Sequence, residues 1–213
     1  MPATLTTAAF DFLGQAPLQD KAWFEANREI CREHLQEPLR GLVDALTPTM
    51  AAIDPDMTGS VSRIHRDMRF AGMGKSLYRE SMWICFGNRN AQSDGLLGFF
   101  FEVFTDRYQY GAGFYSASTA KMNRYRAAID RDPDLFQRIV GSVPPQFAPM
   151  GETYKKSRAG HLPEALRPWY DKKNIWFQVE RPLDDLVTSP DLAGHLKAEW
   201  GSLATVYRFL RDV

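Results

Sequence analysis

Three β-rich runs follow one another between residues 81 and 116 with short connections, and this spacing is the strongest constraint on the fold. The runs are SMWICFGN, LLGFFFEVFTD and RYQYGAGFYS. Parallel neighbours need a crossover of a dozen or more residues, whereas antiparallel strands are joined by short turns. The spacing therefore favours neighbouring antiparallel strands over a sheet built from βαβ units.

Apolar residues at helical spacing flank this region on both sides. Helices are predicted around residues 7–13, 20–46, 119–130, 134–140, 162–171 and 191–211, with Pro48 and the IDPDMTGS stretch of residues 53–60 ending the second. Alternation in SVSRIHRDMRF predicts a further strand over residues 60–70. Shorter runs predict strands at 152–160 and 174–183. The predicted fold is α+β: one domain spanning residues 1–213, with a central, mostly antiparallel sheet between N-terminal and C-terminal helices.

Size and composition are those of a globular domain. The 213 residues are 44% apolar and 24% charged, and 26 basic side chains balance 26 acidic ones. Such a balance argues against a protein that coats nucleic acid through a broad basic excess. The N-terminus lacks the pattern of a signal peptide, and no apolar stretch approaches about 20 residues. Cys31 and Cys85 have no spacing typical of a disulfide framework. A cytoplasmic protein with free thiols and no membrane partner is expected.

Positive charge is concentrated in residues 63–79, RIHRDMRFAGMGKSLYR. This segment holds four arginines, one lysine and one histidine against a single aspartate. Arginine suits phosphate and carboxylate because its planar fork offers paired N–H donors. Gly72 and Gly74 leave backbone N–H groups that can turn toward an anion. The segment therefore predicts an anion site, and the alternative is a structural ion network around Asp67.

Two familiar motifs within this segment are incomplete. His65-Arg66-Asp67 matches the start of a kinase catalytic loop, but that loop needs an asparagine at position 72, which is Gly72. Gly74-Lys75-Ser76 matches the end of a phosphate-binding loop, which needs a glycine at position 69, where Arg69 stands. Neither a kinase nor a Walker A site is predicted.

The remaining candidate groups are scattered. Lys155, Lys156 and Arg158 form a second basic segment, which would build a binding groove only if it meets residues 63–79 in space. The four histidines show no metal-ligand spacing, so no metal is expected, and no cofactor is assigned. Both cysteines are predicted to be buried structural thiols. Glu102, inside FFFEVF, either faces water, pairs with an arginine or acts as a general base.

The order of several segments resembles the bacterial and fungal family called domain of unknown function 2461, over about 200 residues. Phe10-x-Phe12-Leu13 and Trp23-Phe24-x-x-Asn27-Arg28 are similar to its N-terminal signature. Arg63-Ile64-x-Arg66-Asp67-x-Arg69-Phe70, with Lys75 and Tyr78, resembles its most diagnostic segment. Gly111-x-Gly113 and Gly151-x-x-Tyr154-Lys155 resemble later parts. This chain departs from the pattern at Cys31, Gly74 and Leu77. The resemblance implies the same domain boundaries and highlights the arginine segment, and it assigns no catalytic residue or cofactor.

The leading hypothesis is a binding protein for an anionic ligand: a phosphorylated metabolite, a nucleotide or a nucleic acid. One alternative is an enzyme that uses Asp67 or His65 as general acid or base beside the basic pocket. The other is a structural or interaction module. The candidate ligand-binding residues are Arg63, Arg66, Asp67, Arg69, Lys75, Tyr78, Arg79, Lys155 and Lys156.

Overall fold

The computed structural model describes residues 4–69, 76–88 and 95–213, and it confirms the α+β class. The longer helices are α1 (Thr7–Gln15), α4 (Glu37–Ile53), α5 (Thr119–Arg131), α6 (Pro133–Gly141), α8 (Leu192–Ser202) and α9 (Ala204–Asp212). Shorter helices are α2 (Lys21–Ala26), α3 (Arg28–Cys31) and α7 (Arg167–Tyr170). The strands are β1 (Met57–Val61), β2 (Ser81–Asn88), β3 (Gly95–Phe104), β4 (Arg107–Ala117), β5 (Ala148–Met150) and β6 (Ile175–Pro182).

All described strands belong to one antiparallel sheet, ordered β1-β2-β3-β4-β6-β5. The three central strands are those that the closely spaced β-rich runs predict, and short connections join them because antiparallel neighbours need no crossover. Gly113 adopts a φ of 147° in β4, and a Cβ there would lie 2.4 Å from the carbonyl oxygen of Ile175. Glycine is therefore required where β4 meets β6.

One face of the sheet, here called the inner face, carries the core. Alternate residues of β2, β3 and β4 are buried there, among them Phe86, Phe99 and Tyr110. Trp200 of α8 packs against Phe86 and Phe99, and Tyr207 of α9 packs against Phe99 at 5.0 Å between ring centroids. Each such side chain contributes about 1.5–3 kcal/mol through burial alone. The C-terminal helices are therefore part of the core.

Two helix predictions were wrong in detail. Pro48 does not end the second helix, because α4 continues to Ile53 and ends within the IDPDMTGS stretch that the sequence also indicated. The proline lies on the exposed side of α4, so the backbone acceptor that it leaves unpaired is hydrated. The closing helix is two helices, separated at Leu203. There Ser202 donates its hydroxyl to the carbonyl of Glu199, which competes with the helical hydrogen bonds.

The prediction of a strand at residues 152–160 was also wrong. Its place in the sheet is taken by the short β5, which pairs with β6 a few residues earlier in the chain. Beyond β5 only Thr153 forms a bridge, to Lys172. Within the described ranges, no helix combines the length and apolar content that crossing a membrane requires.

Candidate functional site

Residues 64–66 and 77–79 lie antiparallel to each other as the two arms of a hairpin, and they do not continue the predicted long strand. β1 ends at Val61, and beyond it the chain makes a single antiparallel bridge between His65 and Tyr78. Ser62 explains the interruption, because its side-chain oxygen accepts the N–H of Trp83 at 2.9 Å in place of a backbone carbonyl. The prediction of a strand over residues 60–70 was therefore wrong beyond Val61.

One side of this hairpin is aromatic. Tyr78 is 1% exposed and its ring stacks on Phe24 of α2, with centroids 4.8 Å apart. His65 packs against the same two rings at 4.8 and 5.1 Å. Burial raises the pKa of Tyr78, so its hydroxyl stays protonated. Tyr78 therefore anchors the hairpin to the N-terminal helices.

The other side of the hairpin carries Arg66 and Arg79. Arg66 donates its backbone N–H to Leu77, and Arg79 donates its own to Ile64, each at 2.8 Å. This register makes the two arginines diagonal neighbours, with Cα atoms about 7–8 Å apart. Both lie opposite His65 and Tyr78, because side chains alternate across a strand.

Both of these arginines have an unsatisfied nitrogen. The Nε atoms of Arg66 and Arg79 are buried and have no hydrogen-bond partner, and no described residue forms an ion pair with either side chain. The guanidinium of Arg79 lies over the ring of Trp83, 4.9 Å from its centroid. A buried donor without an acceptor costs about 1–3 kcal/mol, more when it is charged. An anion bound between the two guanidinium groups would remove that cost.

The other charged side chains described in this segment, those of Arg63, Asp67 and Arg69, are exposed. Arg69 makes a bidentate ion pair with Asp67, with N–O distances of 2.7 and 3.0 Å, and 82% of the Arg69 side chain is exposed. Hydrogen bonds from Arg69 lower the pKa of Asp67. Arg63 is exposed nearby. Phe70, Gly72, Gly74 and Lys75 lie outside the described residues.

Replacing Asp67 by alanine is expected to leave the melting temperature essentially unchanged, because exposed ion pairs contribute little to stability. Circular dichroism melts at low and high salt would measure this, with the exposed Asp56→Ala as control. A clear loss of stability in Asp67→Ala alone would instead support a structural ion network.

The second basic segment does not meet the first. Lys155, Lys156 and Arg158 are exposed and follow β5, whereas the hairpin joins β1 to β2. Since β1 and β5 are the two edges of the six-stranded sheet, the two segments lie on opposite sides of it. Arg158 instead covers the ring of Tyr154, at 4.2 Å from its centroid. The two segments therefore do not form one groove.

A polar row on the outer face of the sheet is the feature that sequence reasoning missed. Glu102 accepts hydrogen bonds from Ser81 and Gln109, both at 2.6 Å. Gln178 donates to Gln109 at 2.6 Å and accepts from the indole of Trp176 at 2.9 Å. Glu102 is half-buried, and it forms no ion pair with a described residue. Polar residues alternating with aromatic ones in RYQYGAG and IWFQVE are the sequence signal that reveals this row.

The two cysteines differ in environment. Cys31 is fully buried, and burial raises the pKa of its thiol to about 11. Cys85 is half-buried on the outer face, with its sulfur 3.2 Å from the hydroxyl oxygen of Ser60. The prediction that both thiols are buried was therefore wrong for Cys85. Among the described residues, no group of three His, Cys, Asp or Glu side chains could hold a metal ion.

The fold and the site define an α+β protein with a one-layer antiparallel sheet and an arginine hairpin near one edge. The model of the family described as "Conserved hypothetical protein (DUF2461)" matches residues 8–209. The chain belongs to this family, as the resemblance implied. A search of curated proteins found no match.

Proposed function

We propose that this protein is a cytoplasmic binding protein for a small anionic ligand that carries a phosphate or a comparable group. Arg66 and Arg79 are the proposed ligand-binding residues. The observation that carries the proposal is their pair of half-buried guanidinium groups, whose Nε atoms have no acceptor among the described residues. Buried polar groups in native proteins nearly always have a partner, so two such donors on one side of the hairpin suit an acceptor from outside the chain, such as a bound anion.

The surroundings of the pair support recognition of phosphate. The ring of Trp83 fixes the plane of the Arg79 guanidinium, so less side-chain entropy is lost when an anion binds. Arginine presents two parallel donors to phosphate or carboxylate oxygens, which makes the contact directional. Exposed Arg63 and Arg69 add positive potential that attracts an anion from solution.

A small ligand suits the geometry better than a nucleic acid. The two basic segments lie at opposite edges of the sheet, and the chain has no net charge. A nucleic-acid backbone is usually bound by a continuous basic surface. General acid–base catalysis at Asp67 has less support, because Asp67 is paired with Arg69 and its pKa is lowered rather than raised. His65 packs edge-on against the stacked rings of Phe24 and Tyr78, on the side of the hairpin opposite Arg66 and Arg79.

A thermal-shift screen tests the proposal. The panel would contain inorganic phosphate, pyrophosphate, AMP, ATP, phosphorylated sugars, and short DNA and RNA. A ligand at 100 times its dissociation constant adds about 2.7 kcal/mol, which corresponds to roughly 5–10 °C for a chain of this size. We expect a shift of that order with at least one phosphorylated small molecule.

Methionine variants, whose side chains are similar in length to arginine, identify which arginines bind the ligand. Arg66→Met and Arg79→Met keep the packing and remove the charge, so each is expected to weaken binding about tenfold or more, since a charged hydrogen bond contributes about 1.5–3 kcal/mol. The exposed Arg63→Met serves as control and should keep most of the affinity. No shift with any ligand, or equal loss in all three variants, would contradict the proposal. A shift with DNA or RNA alone would transfer the function to nucleic-acid binding.

A further inference from the structure

The two edges of the sheet are protected unequally. At one edge, β5 has three residues and Pro149 at its centre, and both features discourage pairing with another strand. At the other edge, β1 has the sequence MTGSV, with neither proline nor charge. No described strand pairs with its outer side. β1 is therefore an unprotected edge of the kind that accepts an added strand.

The backbone groups that face outward on β1 can be assigned. Ser62 donates its backbone N–H to Trp83 of β2 at 2.8 Å. Hydrogen-bonded positions alternate along an antiparallel pair, so Thr58 and Ser60 face β2 in the same way. The N–H and C=O groups of Gly59 and Val61 therefore point away from the sheet. They offer two donors and two acceptors to an incoming chain.

Helix α4 turns this edge into a groove of about 440 Å³. Gln36, Arg40, Val43 and Asp44 form the helical wall, and residues 59–65 form the opposite wall. Gly59 permits the close approach of the helix, because a Cβ there would lie 2.6 Å from a methyl carbon of Val43. A groove bounded by a helix and a strand edge has the shape that extended peptides occupy when they add to a sheet.

The charge of the groove indicates the chemistry of the occupant. Arg40, Arg63 and His65 line it against the single carboxylate of Asp44. Positive charge at the rim favours a peptide with acidic side chains. A second copy of this chain fits less well, because pairing two β1 edges would bring like-charged rims together.

We propose that the groove between α4 and β1 binds an extended, acidic peptide segment of another protein, which adds to the sheet as a strand beside β1. The backbone groups of Gly59 and Val61 supply the hydrogen bonds. Arg40 and Arg63 select for acidic side chains. This site is separate from the pair formed by Arg66 and Arg79.

Selection from a phage-displayed library of random 12-residue peptides against the full chain tests this inference. The enriched peptides are expected to be rich in Asp and Glu, and their synthetic versions would be measured by fluorescence anisotropy. Val61→Pro removes an outward N–H and leaves the bonds to β2 in place, so it should weaken binding about tenfold or more. Val61→Ala keeps that N–H and should bind within about threefold of the wild type.

A charge reversal provides the second arm. Arg40→Glu should weaken the binding of acidic peptides. Its melting temperature should equal that of the wild type, which would show that the fold is intact. The inference is overturned if no peptide is enriched over a blank surface, or if Val61→Pro binds the enriched peptides as the wild type does. A concentration-dependent dimer that is lost in Val61→Pro would also overturn it, in favour of a second copy as the occupant.

Discussion

Replacing Arg126 by alanine is expected to lower the free energy of unfolding by about 3–5 kcal/mol, the cost typical of breaking a buried charged network. Arg126 is 5% exposed. Its guanidinium donates to the carbonyls of Tyr170, Met122 and Lys172 at 3.0–3.1 Å. Alanine would leave those acceptors without their donor and open a cavity between α5 and the segment before β6.

Calorimetry or circular dichroism would measure the effect as a fall in the melting temperature of roughly 6–20 °C. Arg131→Ala is the matched control, because Arg131 is an exposed arginine at the end of the same helix. Its loss should change the melting temperature little, since surface charges contribute little to stability. Equal behaviour of the two variants would contradict the buried network.

Replacing Asp54 by asparagine is expected to lower the free energy of unfolding at neutral pH by about 2–3 kcal/mol, because hydrogen bonds to a charged group are among the stronger ones. Asp54 is 3% exposed and accepts the hydroxyl of Tyr207 at 2.9 Å. Burial by itself raises the pKa of Asp54. Hydrogen bonds from Tyr207, Asp56 and Asn88, together with the charge of Arg211, outweigh burial and lower it.

The pH dependence follows from this direction. The unfolded carboxyl has a pKa of about 3.9, and the folded value is lower. The stabilisation by Asp54 is therefore fully present above about pH 4–5 and is lost as the pH falls through the folded pKa. Urea unfolding would be measured at pH 7, 5 and 3. The free energies of unfolding of the wild type and Asp54→Asn should converge only at pH 3. The exposed Asp56→Asn is the control, and convergence already at pH 5 would contradict the lowered pKa.

The strands of the sheet centre were predictable because their signal is local. The aromatic and aliphatic residues concentrated in LLGFFFEVF and the absence of long connections leave few ways to pair these strands. Helix starts carry local signals of the same kind: Ser118 accepts the N–H of Lys121 at the start of α5, and Pro133 lies in the first turn of α6. The short β5 was not predictable, because its place depends on β6, which lies 25 residues further along the chain.

The candidate site was likewise predictable only where its signal is local in sequence. The sequence concentrated attention on the arginine segment, but it could not separate Arg66 and Arg79 from the exposed Arg63 and Arg69. That distinction depends on which residues pair across the hairpin, and alternation alone does not fix the register. The row from Ser81 to Trp176 likewise depends on the alignment of four strands. A single side chain, the hydroxyl of Ser62, ended the strand that alternation had predicted to continue.

The rings of Tyr78 and His65 tie the arginine hairpin to the N-terminal helices through their contacts with Phe24. Arg79 follows Tyr78 directly, so we expect binding at the proposed anion site to be linked to the docking of α2. An anion that binds better when α2 is docked must stabilise that docking. By the same coupling free energy, a change that undocks α2 must weaken the binding of the anion. The first helices of the chain are in this sense part of the binding equilibrium, although none of their side chains belongs to the arginine pair.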